Sequence, residues 1–230
     1  MRVLLLLFTL SAFVWSNIGN VAALKGDAEI VRKSKTLKVK SGMELEVKDK
    51  IITSSTGSVQ VILKDNTVVT VGSDSAFVFD AYSFGTKEES EVAMHIDRGF
   101  FRSVTGKIGK MAPERFKVKT VSATIGIRGT DFSALVSDNH EIISCYKGRI
   151  TAFIDSTSHD VNEGMQLDNA NGKITKKALD KNIKVQFLDK DGNLQNIKAD
   201  EMANAIQQEV EKQIQDVKPL NQPTIEFPDR

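Results

Sequence analysis

The fold of this chain is decided by the stretch Val118-Lys119-Thr120-Val121-Ser122-Ala123-Thr124-Ile125-Gly126-Ile127-Arg128-Gly129-Thr130-Asp131-Phe132. Its many apolar and β-branched residues favour β-strand structure. Two glycines and one arginine interrupt the strand pattern, although simple alternation does not require them. Gly126 and Gly129 therefore indicate a bulge or a close approach of two backbones.

The polar residues of the same stretch indicate what holds it in place. Arg128 carries a planar group with five donors, which suits the carbonyl or carboxylate groups of neighbouring strands, and Thr130 can bond locally. A buried charge without a partner would be costly, so we expect Arg128 to be paired with such groups and to hold neighbouring strands together as an internal clasp. Direct contact of Arg128 with a ligand is the alternative. The predicted structural motif consists of Gly126, Arg128, Gly129 and Thr130.

Outward from this stretch, the chain from Leu24 to about Leu167 is a succession of short β-branched runs separated by turn residues. The clearest hairpin joins the run 58–63 to the run 67–71 through Lys64-Asp65-Asn66, where Asp and Asn tolerate tight turns. About ten such runs predict an all-β domain, either an antiparallel β-sandwich or a short β-solenoid.

Beyond Leu167 the composition changes. A short strand is predicted over 183–188, and an apolar stripe at spacings of three and four predicts an amphipathic C-terminal helix over 199–217. The predicted organisation is a signal peptide over 1–23, a β domain over 24–170, a small β-hairpin with a helix over 171–218, and a flexible tail over 219–230.

The N-terminal residues are typical of a secretory signal peptide. One positive charge in Met1-Arg2 precedes an apolar run from Val3 to Trp15, which is shorter than the roughly 20 residues of a spanning helix. Small residues at Val21 and Ala23 suit a cleavage site, so we expect the mature chain to begin near Leu24. The expected location is the periplasm, and the alternative is an uncleaved membrane anchor.

The net charge of the whole chain does not indicate a class of partner. The sequence has 31 basic and 30 acidic residues, and the two counts become equal without Arg2. Export also argues against a nucleic-acid partner. The balance differs locally, because the span 98–128 is rich in basic residues and predicts a surface for an anion or an acidic protein. A solvated strand edge is the alternative. The candidate binding residues are Arg98, Arg102, Lys107, Lys110 and Arg115.

Several segments in order carry a family resemblance. They are Gly42-Met43-Glu44-Leu45, Asp49-Lys50-Ile51-Ile52-Thr53, the strand-turn-strand segment 57–72, Gly99-Phe100-Phe101, the motif around Arg128, and Lys147-Gly148-Arg149-Ile150. Together they resemble the FecR-domain family over about residues 25–170. The resemblance implies an envelope domain that works by protein contact. Regulators of this family also have a cytoplasmic segment that controls a sigma factor and a membrane helix, whereas a signal peptide is expected here in their place.

Signals for catalysis and for cofactors are weak. His95, His140 and His159 lack metal-ligand spacing, and no motif joins a nucleophile to a base, so we expect neither an enzyme nor a cofactor.

The segment from Asp189 to Glu201 begins like a calcium loop, but Leu194 stands where glycine is needed, and a plain Asp-Gly turn is the alternative. The lone Cys145 is expected to be buried, with dimerisation through its thiol as the alternative.

These observations predict a non-catalytic periplasmic adaptor or sensor that binds an envelope or membrane protein and is at most peripheral to the membrane. The alternative is a module that binds a cell-wall polymer or glycan through its basic face.

Overall fold

Strands make up almost all of the regular structure in the computed structural model, which describes residues 17–179, 184–188 and 194–198. The prediction of an all-β fold is confirmed. The strands are β1 Asn17–Lys25, β2 Ala28–Arg32, β3 Lys35–Lys38, β4 Glu44–Glu46, β5 Lys50–Thr53, β6 Ser58–Leu63, β7 Val68–Val71, β8 Ala76–Ser83, β9 Glu91–Val104, β10 Phe116–Lys119, β11 Ala123–Ser137, β12 His140–Ile154, β13 Thr157–Asn162, β14 Met165–Ala170, β15 Lys173–Ala178, β16 Lys184–Leu188 and β17 Leu194–Lys198. A short helix α1, Lys107–Met111, and a 3-10 turn, Pro113–Arg115, join β9 to β10.

The first fifteen strands form one continuous sheet. Its main path runs β15-β14-β12-β11-β10-β9-β7-β6-β1-β4, while β8, β5, β2 and β3 extend from β9, and β13 pairs with β12. The pairing of β9 with β10 is parallel and the other pairings are antiparallel, so the sheet is mixed. The strands β16 and β17 form a separate antiparallel hairpin.

Three long strands turn this sheet into two layers. The first half of β9 pairs with β8 and β10, and its second half pairs with β7 and β11. Glu141 at the start of β12 accepts hydrogen bonds from the Thr120 and Ser122 hydroxyls before β11, at 2.7 and 2.8 Å. A straight β11–β12 hairpin would hold these groups roughly 40 Å apart. The hairpin therefore folds over, and β9, β11 and β12 act as corner strands shared by both layers.

The core lies between the two layers. Phe101 of β9 contacts Phe77 of β8 and Phe132 of β11, with ring centroids 5.4 and 5.7 Å apart. All three rings are fully buried. Contacts of this kind contribute beyond the area that they bury, so these rings fasten the corner strands β9 and β11 to β8.

The strand β1 begins before the predicted end of the signal peptide. Ile18, Val21 and Ala23 of this strand are buried in the core, and β1 lies between β6 and β4. The predicted boundary after Ala23 consequently falls inside a paired strand. Location in the periplasm and cleavage stay predictions.

The predicted boundary at residue 170 falls between two paired strands, because β15 continues the main sheet beside β14. The predicted short strand over 183–188 is confirmed by β16, and its hairpin partner is β17. The predicted helix over 199–217, the tail over 219–230 and the calcium candidate Asp189-Lys190-Asp191-Gly192-Asn193 lie outside the described residues. Within the described ranges, no helix is both long enough and apolar enough to cross a membrane.

Cys145 is fully buried in β12. Its burial, followed by the charge of Asp131, raises the pKa of the Cys145 thiol to about 12. At pH 8 the thiol is therefore protonated and a poor nucleophile, whereas in the unfolded chain its pKa is about 8.5. We expect a disulfide reagent to label the native protein about 100-fold more slowly than the urea-unfolded protein at pH 8. Equal labelling rates, or a disulfide-linked dimer on a non-reducing gel, would show that the thiol is accessible.

Candidate protein-contact site

A buried ion pair joins the predicted motif to the rest of the sheet. Arg102 of β9 donates from Nε and Nη2 to the two carboxylate oxygens of Asp131, at 2.8 and 2.6 Å. Both residues are about 2% exposed or less, and the Arg102 guanidinium stacks 4.5 Å from the ring centroid of Tyr146. The clasping arginine is thus Arg102. This corrects two predictions, because Arg102 cannot belong to an exposed binding surface and Arg128 does not form the clasp.

The backbone around Gly129 explains why the motif bends. The register between β11 and β12 shifts between Arg128 and Asp131, and Gly129 has a φ of 59°. Opposite this bulge, Gly148 has a φ of 81°, and an added Cβ would lie 2.5 Å from the Gly129 carbonyl oxygen. The register shift therefore forms a bulge at Gly129, which is one of the two roles expected for this residue. Gly148 is the residue that permits close approach.

Thr130 is held through its backbone. Its N–H donates to the Thr105 hydroxyl at 2.9 Å, and its carbonyl accepts hydrogen bonds from the Thr105 N–H and hydroxyl. The Thr130 hydroxyl is buried and has no hydrogen-bond partner in the described part of the chain. The predicted local bond of Thr130 thus exists, but the main chain makes it.

Gly126 has a different role from the one predicted. Its φ is not positive, and an added Cβ would meet the Phe153 ring and the Thr151 carbonyl at an ordinary 3.9 Å. The residue therefore neither requires a special backbone nor allows a close approach. It lies between Lys117 of β10 and Thr151 of β12 in one register row, so its missing side chain leaves a depression.

This depression is a surface groove across β10, β11 and β12, which we call the β10–β12 groove. Its volume is about 430 Å³. Phe153 forms an apolar wall of the groove and is 49% exposed. The groove is lined by Pro113, Glu114, Phe116, Lys117, Thr124, Gly126, Ile127, Thr151 and Phe153.

A second pocket adjoins the β10–β12 groove and shares Ile127 and Thr151 with it. We call it the arginine pocket, since its other lining residues are Arg128, Arg149 and Asp160, and its volume is about 280 Å³. Arg128 and Arg149 are directly opposite each other on β11 and β12. Like charges in this position repel each other, at a cost of up to about 1 kcal/mol. Asp160 is the single carboxylate among the lining residues and accepts a hydrogen bond from the Thr151 hydroxyl at 2.7 Å.

Both arginines are exposed, and within residues 17–179 neither forms an ion pair or a side-chain hydrogen bond. Arginine forks match carboxylate and phosphate geometry. The pocket therefore has the donors for a carboxylate-bearing segment, and the β10–β12 groove beside it has an apolar wall. The arrangement suits contact with an acidic and apolar partner segment.

The four other predicted basic residues lie on the surface. Arg98 is exposed on β9, and Lys107 and Lys110 are exposed on α1, with the Lys107 ammonium 5.9 Å from the ring centroid of Phe84. Arg115 donates to the Glu88 carbonyl at 2.5 Å. Binding of an anion or an acidic protein by these four residues stays a prediction.

Two of the three histidines are paired with acidic groups. His95 Nδ1 lies 2.6 Å from an Asp80 carboxylate oxygen, and His140 Nε2 lies 2.8 Å from Asp168. Over residues 17–179, no hydrogen bond joins a histidine ring to a serine, threonine or cysteine side chain. In that range, no histidine is therefore placed to activate a hydroxyl or thiol nucleophile.

Sequence reasoning missed Arg149 and Phe153 as site residues. Both occupy outward positions of β12, alternating with the buried Ile150, Ala152 and Ile154. Counting back from the two-residue turn at 138–139 would have placed Arg149 opposite Arg128, because the irregularities at the bulge leave the register unchanged beyond it. The signal was available once the hairpin had been recognised.

A family model described as FecR protein matches residues 49–151. Two crystal structures of a proposed anti-sigma factor from Parabacteroides distasonis ATCC 8503 are similar to this chain, with 19% and 20% sequence identity and TM-scores of 0.48 and 0.47. Each similarity covers 56% of this chain and 59% of the other, so this chain spans less than two thirds of the length of those proteins. No curated protein matches the chain.

Proposed function

We propose that this chain, whose residues 49–151 match the FecR family model, is a non-catalytic signalling adaptor or sensor that is exported to the bacterial periplasm and acts by binding another envelope protein. The observation that carries this proposal is the arginine pocket beside the β10–β12 groove. A cross-strand pair of arginines weakens the sheet unless an acidic partner is present. Protein contact supplies such a partner without any catalytic group.

The chemistry of the two pockets defines the partner segment. An apolar side chain fits against Phe153 in the β10–β12 groove, and a carboxylate fits between Arg128 and Arg149 in the arginine pocket. The shared residues Ile127 and Thr151 keep the two positions next to each other. We therefore expect the partner to present an extended acidic and apolar segment, and the charge pair to set the rate and the salt dependence of association.

Substituting Arg149→Glu separates binding from stability. The substitution places a carboxylate opposite Arg128, so we expect stability to stay the same or to rise by up to about 1 kcal/mol in urea unfolding. Partner binding should fall at least about tenfold, because the new carboxylate occupies Arg128 and repels an acidic segment. Partner binding is measured as the recovery of envelope proteins after crosslinking and pull-down, by quantitative mass spectrometry.

Lys35→Glu is the matched control for this experiment. Lys35 is an exposed strand residue of β3 that takes no part in either pocket, so its charge reversal should leave recovery unchanged. Equal recovery with wild type and Arg149→Glu would remove the arginine pocket from the proposal. Salt-sensitive retention on isolated cell wall, lost with Arg149→Glu, would instead favour the polymer-binding alternative.

A further inference from the structure

We propose that the leader of this chain is removed by hydrolysis of the peptide bond between Ser16 and Asn17, so that the mature protein begins at the first residue of β1. The inference rests on the proposed export. Water adds across the Ser16–Asn17 amide, leaving a carboxylate on the leader and an α-amino group on Asn17. Water is the co-reactant, and a signal peptidase of the envelope is the catalyst.

The strand β1 is an integral part of the main sheet. Its residues pair with β6 from Gly19 to Lys25 and with β4 from Asn17 to Asn20. The backbone of β1 also closes two connections, because the Val21 N–H donates to the Met43 carbonyl at 2.9 Å and the Lys64 N–H donates to the Ile18 carbonyl at 3.0 Å. Asn17 therefore already belongs to the folded domain.

The packing around Gly19 shows how closely β1 fits. An added Cβ on Gly19 would lie 2.3 Å from the Ile62 carbonyl oxygen, so only glycine allows β1 to approach β6 here. Ile18 and Val21 on either side are 0% and 1% exposed. A segment that is discarded after export has no physical need for this complementarity.

Cleavage after Ala23 would remove most of this strand. Only Leu24 and Lys25 of β1 would remain, and β4 would lose its only strand partner within the described sheet. The edge of β6 would lose its pairing from Gly19 to Ala23. Ile18 and Val21 would leave cavities in the core.

The residues before Asn17 suit the same cleavage reaction. Ser16 is a small residue at the last position of the leader, and Val14 stands at the third-last position. Signal peptidase sites require small residues at these two places, and a leader of 16 residues is within the usual length. The pairs Val14/Ser16 and Val21/Ala23 are thus similar in sequence, and β1 distinguishes them.

The N-terminus of the exported protein tests the inference. Full-length protein is expressed with its leader, cells are fractionated, and the periplasmic species is identified by intact mass and N-terminal sequencing. We expect a chain that begins at Asn17. A periplasmic chain that begins at Leu24 or retains Met1 would overturn the inference and leave export intact, whereas a chain confined to the cytoplasm would contradict the proposed export as well.

A substitution and a pair of truncations sharpen the test. Ser16→Leu should make the uncleaved precursor accumulate, whereas cleavage after Ala23 would be indifferent to this change. Chains made without a leader from Asn17 and from Leu24 test the structural premise independently of export. We expect the second to unfold at least about 10 °C lower or to lack a cooperative transition. Equal unfolding midpoints would contradict the role of β1.

Discussion

Replacing Asp131 with alanine should lower the free energy of unfolding by about 4 kcal/mol. The substitution leaves the guanidinium of Arg102 buried, with its two charge-assisted hydrogen bonds to Asp131 lost. Nη1 of Arg102 is already buried without a partner in the described part of the chain. This indicates that no further acceptor is available to replace the carboxylate. Urea unfolding followed by circular dichroism measures the loss.

Two variants control this experiment. Asp160→Ala removes an exposed carboxylate that accepts one hydrogen bond from Thr151, and we expect a loss of less than about 1 kcal/mol. The double substitution Arg102→Met with Asp131→Leu removes both charges and should recover much of the stability lost in Asp131→Ala. A loss below about 1 kcal/mol for Asp131→Ala itself would show that the buried pair does not hold the motif.

The second large effect is expected at Asp65, in the turn between β6 and β7. Asp65 is fully buried and accepts hydrogen bonds from the Thr67 hydroxyl at 2.7 Å and from the Ile108 N–H at 3.1 Å. The Tyr82 hydroxyl accepts a hydrogen bond from the Asp65 N–H at 2.8 Å. Burial of the Tyr82 ring, together with the charge of Asp65, raises the pKa of Tyr82. This one carboxylate joins the β6–β7 hairpin to α1.

Asp65→Ala should cost about 3 kcal/mol of unfolding free energy, since it leaves several buried donors without an acceptor. The exposed Asp138, in the turn between β11 and β12, gives the matched control, and Asp138→Ala should change stability by less than about 0.5 kcal/mol. The 3-10 turn after α1 supplies Pro113 and Glu114 to the β10–β12 groove, so partner binding should weaken along with stability. Equal midpoints for both variants in urea would contradict this account.

Local patterns predicted the elements of this fold well. The hairpin of β6 and β7 follows from two β-branched runs around Lys64-Asp65-Asn66, and Asn66 has the positive φ, 67°, that such a turn needs. The pairing of β2 with β3 across a two-residue turn is equally local. These features depend on neighbours within a few residues, and the sequence carries that information directly.

The role of each arginine could not be read in the same way. Arg102 is buried because Asp131, 29 residues later, reaches it across a pairing of β9 with β11. Strand alternation tells which residues share a face but not which face another element covers. Arg128 stands in the more distinctive motif, which predicts the structural role for it, although it is the exposed arginine. Burial of charge is decided by tertiary pairing, which composition and spacing do not contain.

The three corner strands have a consequence for how this domain can transmit a signal. Each of β9, β11 and β12 belongs to both layers, so separating the layers would break the ladder of all three strands at once. The layers have no hinge between them and are expected to unfold as one cooperative unit. Binding at the β10–β12 groove would therefore leave the domain's shape unchanged. On the proposed function, we expect the domain to act as a rigid platform, and the signal to depend on what the partner does once it is bound there.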